Sequence, residues 1–205
     1  MGAGYVESLA HPGGNATGFT LFEYGIGVKW LELLKEVAPS VTRAAVVRDA
    51  TATSGTAQFA VIQGVARSLA VEVSPVGTRD ASEIEHGITA FASRPNGGLI
   101  VVGGAAAILH RELLTSLALR HKLPSVYFER LFIPSGGLVS YGPDQVEPHR
   151  RAAAYIDRIL KNEKPADLPV QAPTTYELVV NATSGKALGL NIPPTLLARA
   201  DQVIE

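Results

Sequence analysis

The 205-residue sequence contains no cysteine. That absence excludes a disulfide framework, a thiolate-bound zinc and a thiol nucleophile, while leaving the cellular compartment open. Charge is scarce and balanced, with 18 basic against 19 acidic side chains and a formal net charge of -1. Nucleic acids and anionic membranes call for a basic excess that displaces counterions, so neither is an expected partner. No apolar run reaches the ~18 residues needed to cross a bilayer, and the longest, residues 97–109, is interrupted by a glycine pair. The first seven residues, Met1 to Glu7, lack the basic region and apolar stretch of an export signal. What the chain does have is 46% hydrophobic residues, rich in Val, Leu, Ile and Ala. In this length they can bury a real core, as one large domain or two small ones, and they rule out disorder. A turn over His11 to Asn15 follows almost at once, as if the chain began inside a larger structure.

From residue 26 helical and strand periods alternate, the pattern of a parallel sheet with crossover helices. Val28, Leu31, Leu34 and Val37 are spaced for a helix that Pro39 stops, and Ala44 to Val47 reads as a short buried strand. Thr53 or Ser54 can cap the next helix, with Phe59, Ile62, Ala66 and Leu69 facing inward, and a second strand starts at Val71. Asp80 and Glu83 form a capping box ahead of Ile84, Ile88 and Phe91. Leu99 to Val102 is apolar on both faces, as a central parallel strand requires. One helix through Ile108, Leu113 and Leu117 precedes strands at Ser125 to Phe128 and Gly137 to Tyr141. The expected fold is therefore α/β, a doubly wound three-layer sandwich with a mainly parallel sheet.

The last third changes style. Asp144 and Glu147 again match a capping box, opening an amphipathic helix to Lys161 with Ala152, Tyr155, Ile156 and Ile159 on one face. Pro165, Pro169 and Pro173 then mark an extended crossing or an ordinary surface loop. A strand over Tyr176 to Val180, a short helix ending at Gly189 and a turn-rich tail complete the chain.

Motif searches mostly exclude. The five histidines, at 11, 86, 110, 121 and 149, show no metal-ligand spacing, so no metal is expected. There is no Gly-x-Ser-x-Gly elbow and no phosphate loop, and Gly25-Ile26-Gly27 is half of a dinucleotide fingerprint without its preceding strand. Two glycosylation sequons, at Asn15 and Asn181, are within chance for this length. With no nucleophile, base and oxyanion set at compatible positions, neither catalysis nor a cofactor is expected.

Ligands of α/β sheets bind at the carboxyl ends of the strands, and there this chain places polar residues. Thr51, Thr53 and Ser54 follow the first strand and run into a helix start, where unpaired amides and partial positive charge favour an anion. Gly103, Gly104 and Ala105 follow the third strand and let a ligand approach the backbone at a second helix start. Tyr127 closes the fourth strand, Glu129 and Arg130 follow it, and Tyr141 closes the fifth. Singly, these residues could cap helices, pair with one another or pack; together they read as a small-molecule site.

The chain resembles the solute-binding proteins of ABC transporters built on the type I periplasmic-binding fold. The resemblance rests on Gly4 to Gly18, Lys29 to Glu36, Gly136 to Pro143, Leu160 to Val170, Tyr176 to Asn181 and Lys186 to Pro194, taken in that order and spacing. It implies two α/β lobes joined by three crossings, with a solute held between them. Residues 1–17 would be a remnant of lobe one and the first crossing, residues 18–142 with 181–205 lobe two, and residues 143–180 a lobe-one helix and the return crossing. The export signal and most of lobe one would be absent, so solute binding by this chain alone would be weak. The helix from Asp144 would expose its apolar stripe and favour a homodimer. The resemblance further implies a small polar or aromatic, amino-acid-like solute, a membrane permease as partner and a periplasmic or extracytoplasmic location for the full-length protein. Within it, the Thr53 and Gly103 loops would meet an anionic group, Glu129 an amine, and Tyr141 would pack. The competing readings are a ligand-sensing effector domain of a transcription regulator, and a small α/β enzyme that uses helix starts as anion sites.

Overall fold

A computed structural model describes residues 4–21 and 23–205. The chain forms two compact units, one of residues 24–142 and 177–205, the other of residues 1–23 and 143–176. Residues 18–21 and 23 group with the smaller unit.

The larger unit is built from α1 (Ile26–Val37), β1 (Arg43–Arg48), α2 (Thr53–Ala66), β2 (Glu72–Gly77), α3 (Ala81–Ala92) and β3 (Gly97–Val101). It continues through α4 (Ala105–Leu109), α5 (Arg111–Arg120), β4 (Ser125–Tyr127) and β5 (Val139–Pro143). The smaller unit supplies α6 (Glu147–Leu160), after which β6 (Tyr176–Asn181), α7 (Ala182–Ala187), α8 (Pro194–Arg199) and β7 (Gln202–Ile204) follow. Among the described residues the strands form one sheet in the order β2-β1-β3-β4-β5-β6-β7. The pairs β1 with β2, β1 with β3, β3 with β4, β4 with β5 and β6 with β7 are parallel. The α/β sandwich expected from the alternating periods is therefore present.

Burial explains the order. Every residue of β3 is buried, and β1 buries Ala44 to Val47, because helices cover both faces of these central strands. β2 forms one edge and carries Pro75, which can spare its missing N–H only at an edge or bulge. On α1, Trp30, Leu31, Leu33, Leu34 and Val37 are all buried.

Several local expectations change. α2 turns Gly55, Gln58, Ile62 and Ala66 inward, whereas Phe59 is half-exposed beneath the Arg48 guanidinium, 5.0 Å from its ring centre. The helix expected through Ile108 and Leu117 breaks at His110 into α4, of five residues, and α5. The Asp80 half of the expected capping box forms, its carboxylate accepting the Glu83 amide at 2.8 Å, while the Glu83 carboxylate accepts the amide of Arg79, one residue before the cap, at 2.8 Å. The one expected at Asp144 does not. Asp144 accepts the Val146 amide at 2.7 Å in a local turn, and α6 starts with Val146 as its uncapped flank. The tail expected to be only turns contains α8 and β7.

In the smaller unit the segments around residues 17–20 and 168–171 run side by side. Thr20 donates its amide to the Gln171 carbonyl at 2.8 Å, and Gln171 donates to Gly18 at 3.0 Å. Tyr155 leaves the expected exposed stripe: it is buried, its ring centre 5.1 Å from that of Phe19, with its hydroxyl donating to the Pro169 carbonyl at 2.6 Å. The exposed apolar face of α6 is instead Ile156, Ile159 and Leu160, at 58%, 36% and 78% exposure. No helix among the described residues is long and apolar enough to cross a membrane.

Candidate functional site

The pairs that join β1 to β5 are all parallel, so the exits of these strands come out on one rim. At the β1 exit Asp49 organises the loop. Its Oδ1 accepts the Thr51 amide at 2.8 Å and the Thr51 hydroxyl at 2.6 Å, and these donors hold the carboxyl below the usual aspartate range. The loop then enters α2, where Gly55 permits a close approach: a Cβ there would lie 2.5 Å from the Asp49 carbonyl oxygen. Thr53 and Ser54 do not cap α2. They are its first two residues, Ala52 is the flank, and no side chain caps the helix. This leaves the first turn of a 14-residue helix uncapped at the rim.

The β3 exit is less open than expected. The Gly103 amide donates to Oε1 of the fully buried Gln58 at 3.2 Å and is not a bare donor for a ligand. α4, which Ala105 opens, has only five residues, too short to align a substantial dipole. Gly104 and Ala105 remain at the surface of this loop.

At the β4 exit the two neighbouring charged residues separate. Arg130 turns toward β6 and β7, pairing with Glu177 at 3.1 Å and donating to Gln202 Oε1 at 2.9 Å, which removes it from the rim. Glu129 stays half-buried, with no partner for its carboxylate among the described residues, and desolvation raises its pKa. Its backbone is held by Gly142 of β5: a Cβ at that position would collide with the Phe128 carbonyl oxygen and lie 3.7 Å from the Glu129 Cα. Tyr127 is a core residue, fully buried with its ring 4.7 Å from that of Phe132, and it does not reach the rim surface. Tyr141 is the middle residue of β5 and partly exposed, and its carbonyl accepts the indole N–H of Trp30 at 2.7 Å.

The structure adds residues that motif reasoning passed over. A hollow of about 400 Å³ opens between the β1 and β2 exits, lined by Asp49, Thr51, Thr78, Arg79, Glu83 and Ala106 among others. Thr78 is 3% exposed and its hydroxyl has no partner. Its signal in the sequence is only a hydroxyl residue directly after a strand. A larger hollow of about 860 Å³ runs along β2 and α3, but its charged groups are engaged. Arg43 donates to the carbonyls of Phe91 and Arg94, and Arg79 pairs with Asp80. No cluster of three metal-ligating side chains exists among the described residues. The rim thus offers an uncapped helix start, an ionised aspartate, an unpartnered half-buried glutamate and an unpaired hydroxyl, an arrangement suited to holding a small polar molecule.

The model of a family described as ABC transporter substrate binding protein matches residues 1–204. A tyrosine-binding protein of Clostridioides difficile (strain R20291) is 25% identical over 188 residues, which make up 92% of this chain and 54% of that protein. The chain therefore spans about half the length of this curated relative. An ABC domain from Streptococcus pneumonia, solved in complex with L-Trp, is 26% identical with a TM-score of 0.88, over 99% of this chain and 69% of that one. A conserved domain protein from Vibrio cholerae shares the fold at 24% identity and a TM-score of 0.89, over 98% and 67% of the two chains.

Proposed function

The chain belongs to the ABC transporter substrate binding protein family, on the type I periplasmic-binding fold, and from that premise we propose that its rim captures an amino acid with an aromatic side chain for import. The family binds substrates and does not transform them, in keeping with a site whose residues suit holding more than reacting. The observation that carries the proposal is Glu129, a half-buried carboxylate without a partner at the β4 exit, which an α-ammonium group would satisfy. The uncapped start of α2 supports it as a counterpart for the α-carboxylate. The tryptophan complex and the tyrosine-binding relative support an aromatic side chain. In this reading the full-length protein works outside the cytoplasm and hands its solute to a membrane permease.

Calorimetric and thermal-shift titration of the chain with L-tryptophan, L-tyrosine, small dicarboxylates and nucleobases tests the proposal. Binding confined to the aromatic amino acids, and lost in Glu129→Gln, is the expected result. Binding of a dicarboxylate or nucleobase in preference, or aromatic binding indifferent to Glu129→Gln, would overturn it.

A further inference from the structure

We propose that the hollow between the β1 and β2 exits is a subsite for the far end of the solute, and that it selects an aromatic side chain bearing a hydrogen-bond donor over one that lacks it. The inference rests on the reading of the rim as an amino-acid site with the α-ammonium at Glu129. Its own support is the polar inventory of the hollow. Two carboxylates line it, Asp49 and Glu83, and each keeps acceptor capacity beyond the local donors Thr51 and Arg79. The Arg79 guanidinium, the cation among the lining residues, is paired with Asp80 at 3.3 Å. Thr78, almost wholly buried, keeps a hydroxyl with no partner. Buried hydroxyls are normally bonded, so an orphan in a lined hollow is a position waiting for a ligand or water. Taken together the hollow has an excess of acceptors and asks for a donor.

The spacing fits one aromatic amino acid. In the sheet order β2-β1-β3-β4, the β2 exit that carries Thr78 lies three strand spacings from the β4 exit, about 14 Å. With a hydrogen bond of about 3 Å at each end, about 8 Å remains, which an aromatic amino acid spans and a short aliphatic one does not. Tryptophan and tyrosine carry an N–H or O–H at that far end, whereas phenylalanine carries none. A site built to accept a donor penalises the analogue lacking it, because its buried acceptors are then desolvated without return.

Amide NMR of the isotopically labelled chain, titrated to millimolar L-tryptophan, L-tyrosine and L-phenylalanine, separates the outcomes. All three should move the amides around Glu129. L-tryptophan and L-tyrosine should also move Asp49 to Thr51 and Gly77 to Arg79, and bind about tenfold more tightly than L-phenylalanine. In Thr78→Val, close in shape to the native residue, that preference should shrink while L-phenylalanine binding is unchanged. Shifts around Glu129 without shifts at Gly77 to Arg79, or equal weakening of all three ligands in Thr78→Val, overturn the subsite and leave the amino-acid site standing. Absence of any rim shift with all three overturns the amino-acid site itself, and the subsite with it.

Discussion

Replacing Gly142 by alanine should cost stability and displace Glu129 together, because this glycine is where the ends of β4 and β5 touch. A Cβ there would collide with the Phe128 carbonyl oxygen and stand 3.0 Å from the carbonyl carbon, so the obstacle is backbone and no side-chain rotation relieves it. Overpacking typically costs about 1 to 3 kcal/mol, and a rigid backbone obstacle places this case near 3. For a chain of this size each kcal/mol lowers the melting temperature by about 2 to 4 °C, so Gly142→Ala should melt roughly 6 to 12 °C below the native protein. Gly64, in α2, supplies the control, since no heavy atom lies within 4 Å of a Cβ built there. Gly64→Ala should stabilise by up to about 1 kcal/mol through helix propensity. Differential scanning calorimetry of the two variants beside the native chain measures both, and amide shifts of Phe128 and Glu129 report the displacement. A melting temperature for Gly142→Ala within about 2 °C of native, which is less than 1 kcal/mol, would refute the close-packing account of how Glu129 is placed.

Because desolvation raises the Glu129 pKa, its folded form favours the protonated carboxyl. The associated stability is present at acid pH and lost as pH rises through the raised pKa. Glu129→Gln should therefore raise the melting temperature at pH 7, with the gain vanishing below the ordinary glutamate range; a pH-independent difference would refute this. Solute affinity should rise over the same interval as the carboxylate ionises, measurable by calorimetry at several pH values. Arg130→Ala should cost no more than about 1 kcal/mol, since the Glu177 pair is largely exposed, and should leave solute binding unchanged; a tenfold loss of affinity would return Arg130 to the site. Ile156→Lys should suppress concentration-dependent association through the Ile156, Ile159 and Leu160 face, read by sedimentation velocity. A native chain that stays monomeric at high concentration would remove the basis for that face as a contact.

The fold was legible where pattern and packing agree. The all-apolar run from Leu99 to Val102 has one stable home, a central strand covered on both faces, and β3 occupies it. The Asp80 and Glu83 pair names its own partners three residues apart, so the start of α3 could be read directly. At Asp144 the same spacing failed, because Pro148 sets where α6 begins and the aspartate finds a nearer amide at Val146. Tyr155 was misplaced for a related reason. Helical periodicity puts it on the apolar face but does not say that Phe19 covers it, since that contact joins residues far apart in sequence.

The site was legible only at the level of the rim. Parallel strands send their exits to one side whatever the side chains, so placing candidates after Val47, Val102, Phe128 and Val139 needed nothing but the strand order. Which exit residues face a ligand depends on long-range competition that local pattern does not encode. Gln58 takes the Gly103 amide across 45 residues, and Glu177 draws Arg130 away from Glu129 across 47. What these contacts leave behind is informative. Once the protein's own partners have been assigned, Glu129 and the Thr78 hydroxyl are among the polar groups left unmet, as are Gln58 Nε2, the Tyr127 hydroxyl and Ser140 Oγ, and what sets the first two apart is that each directly follows a strand or its last residues at the rim where a small polar molecule can meet it.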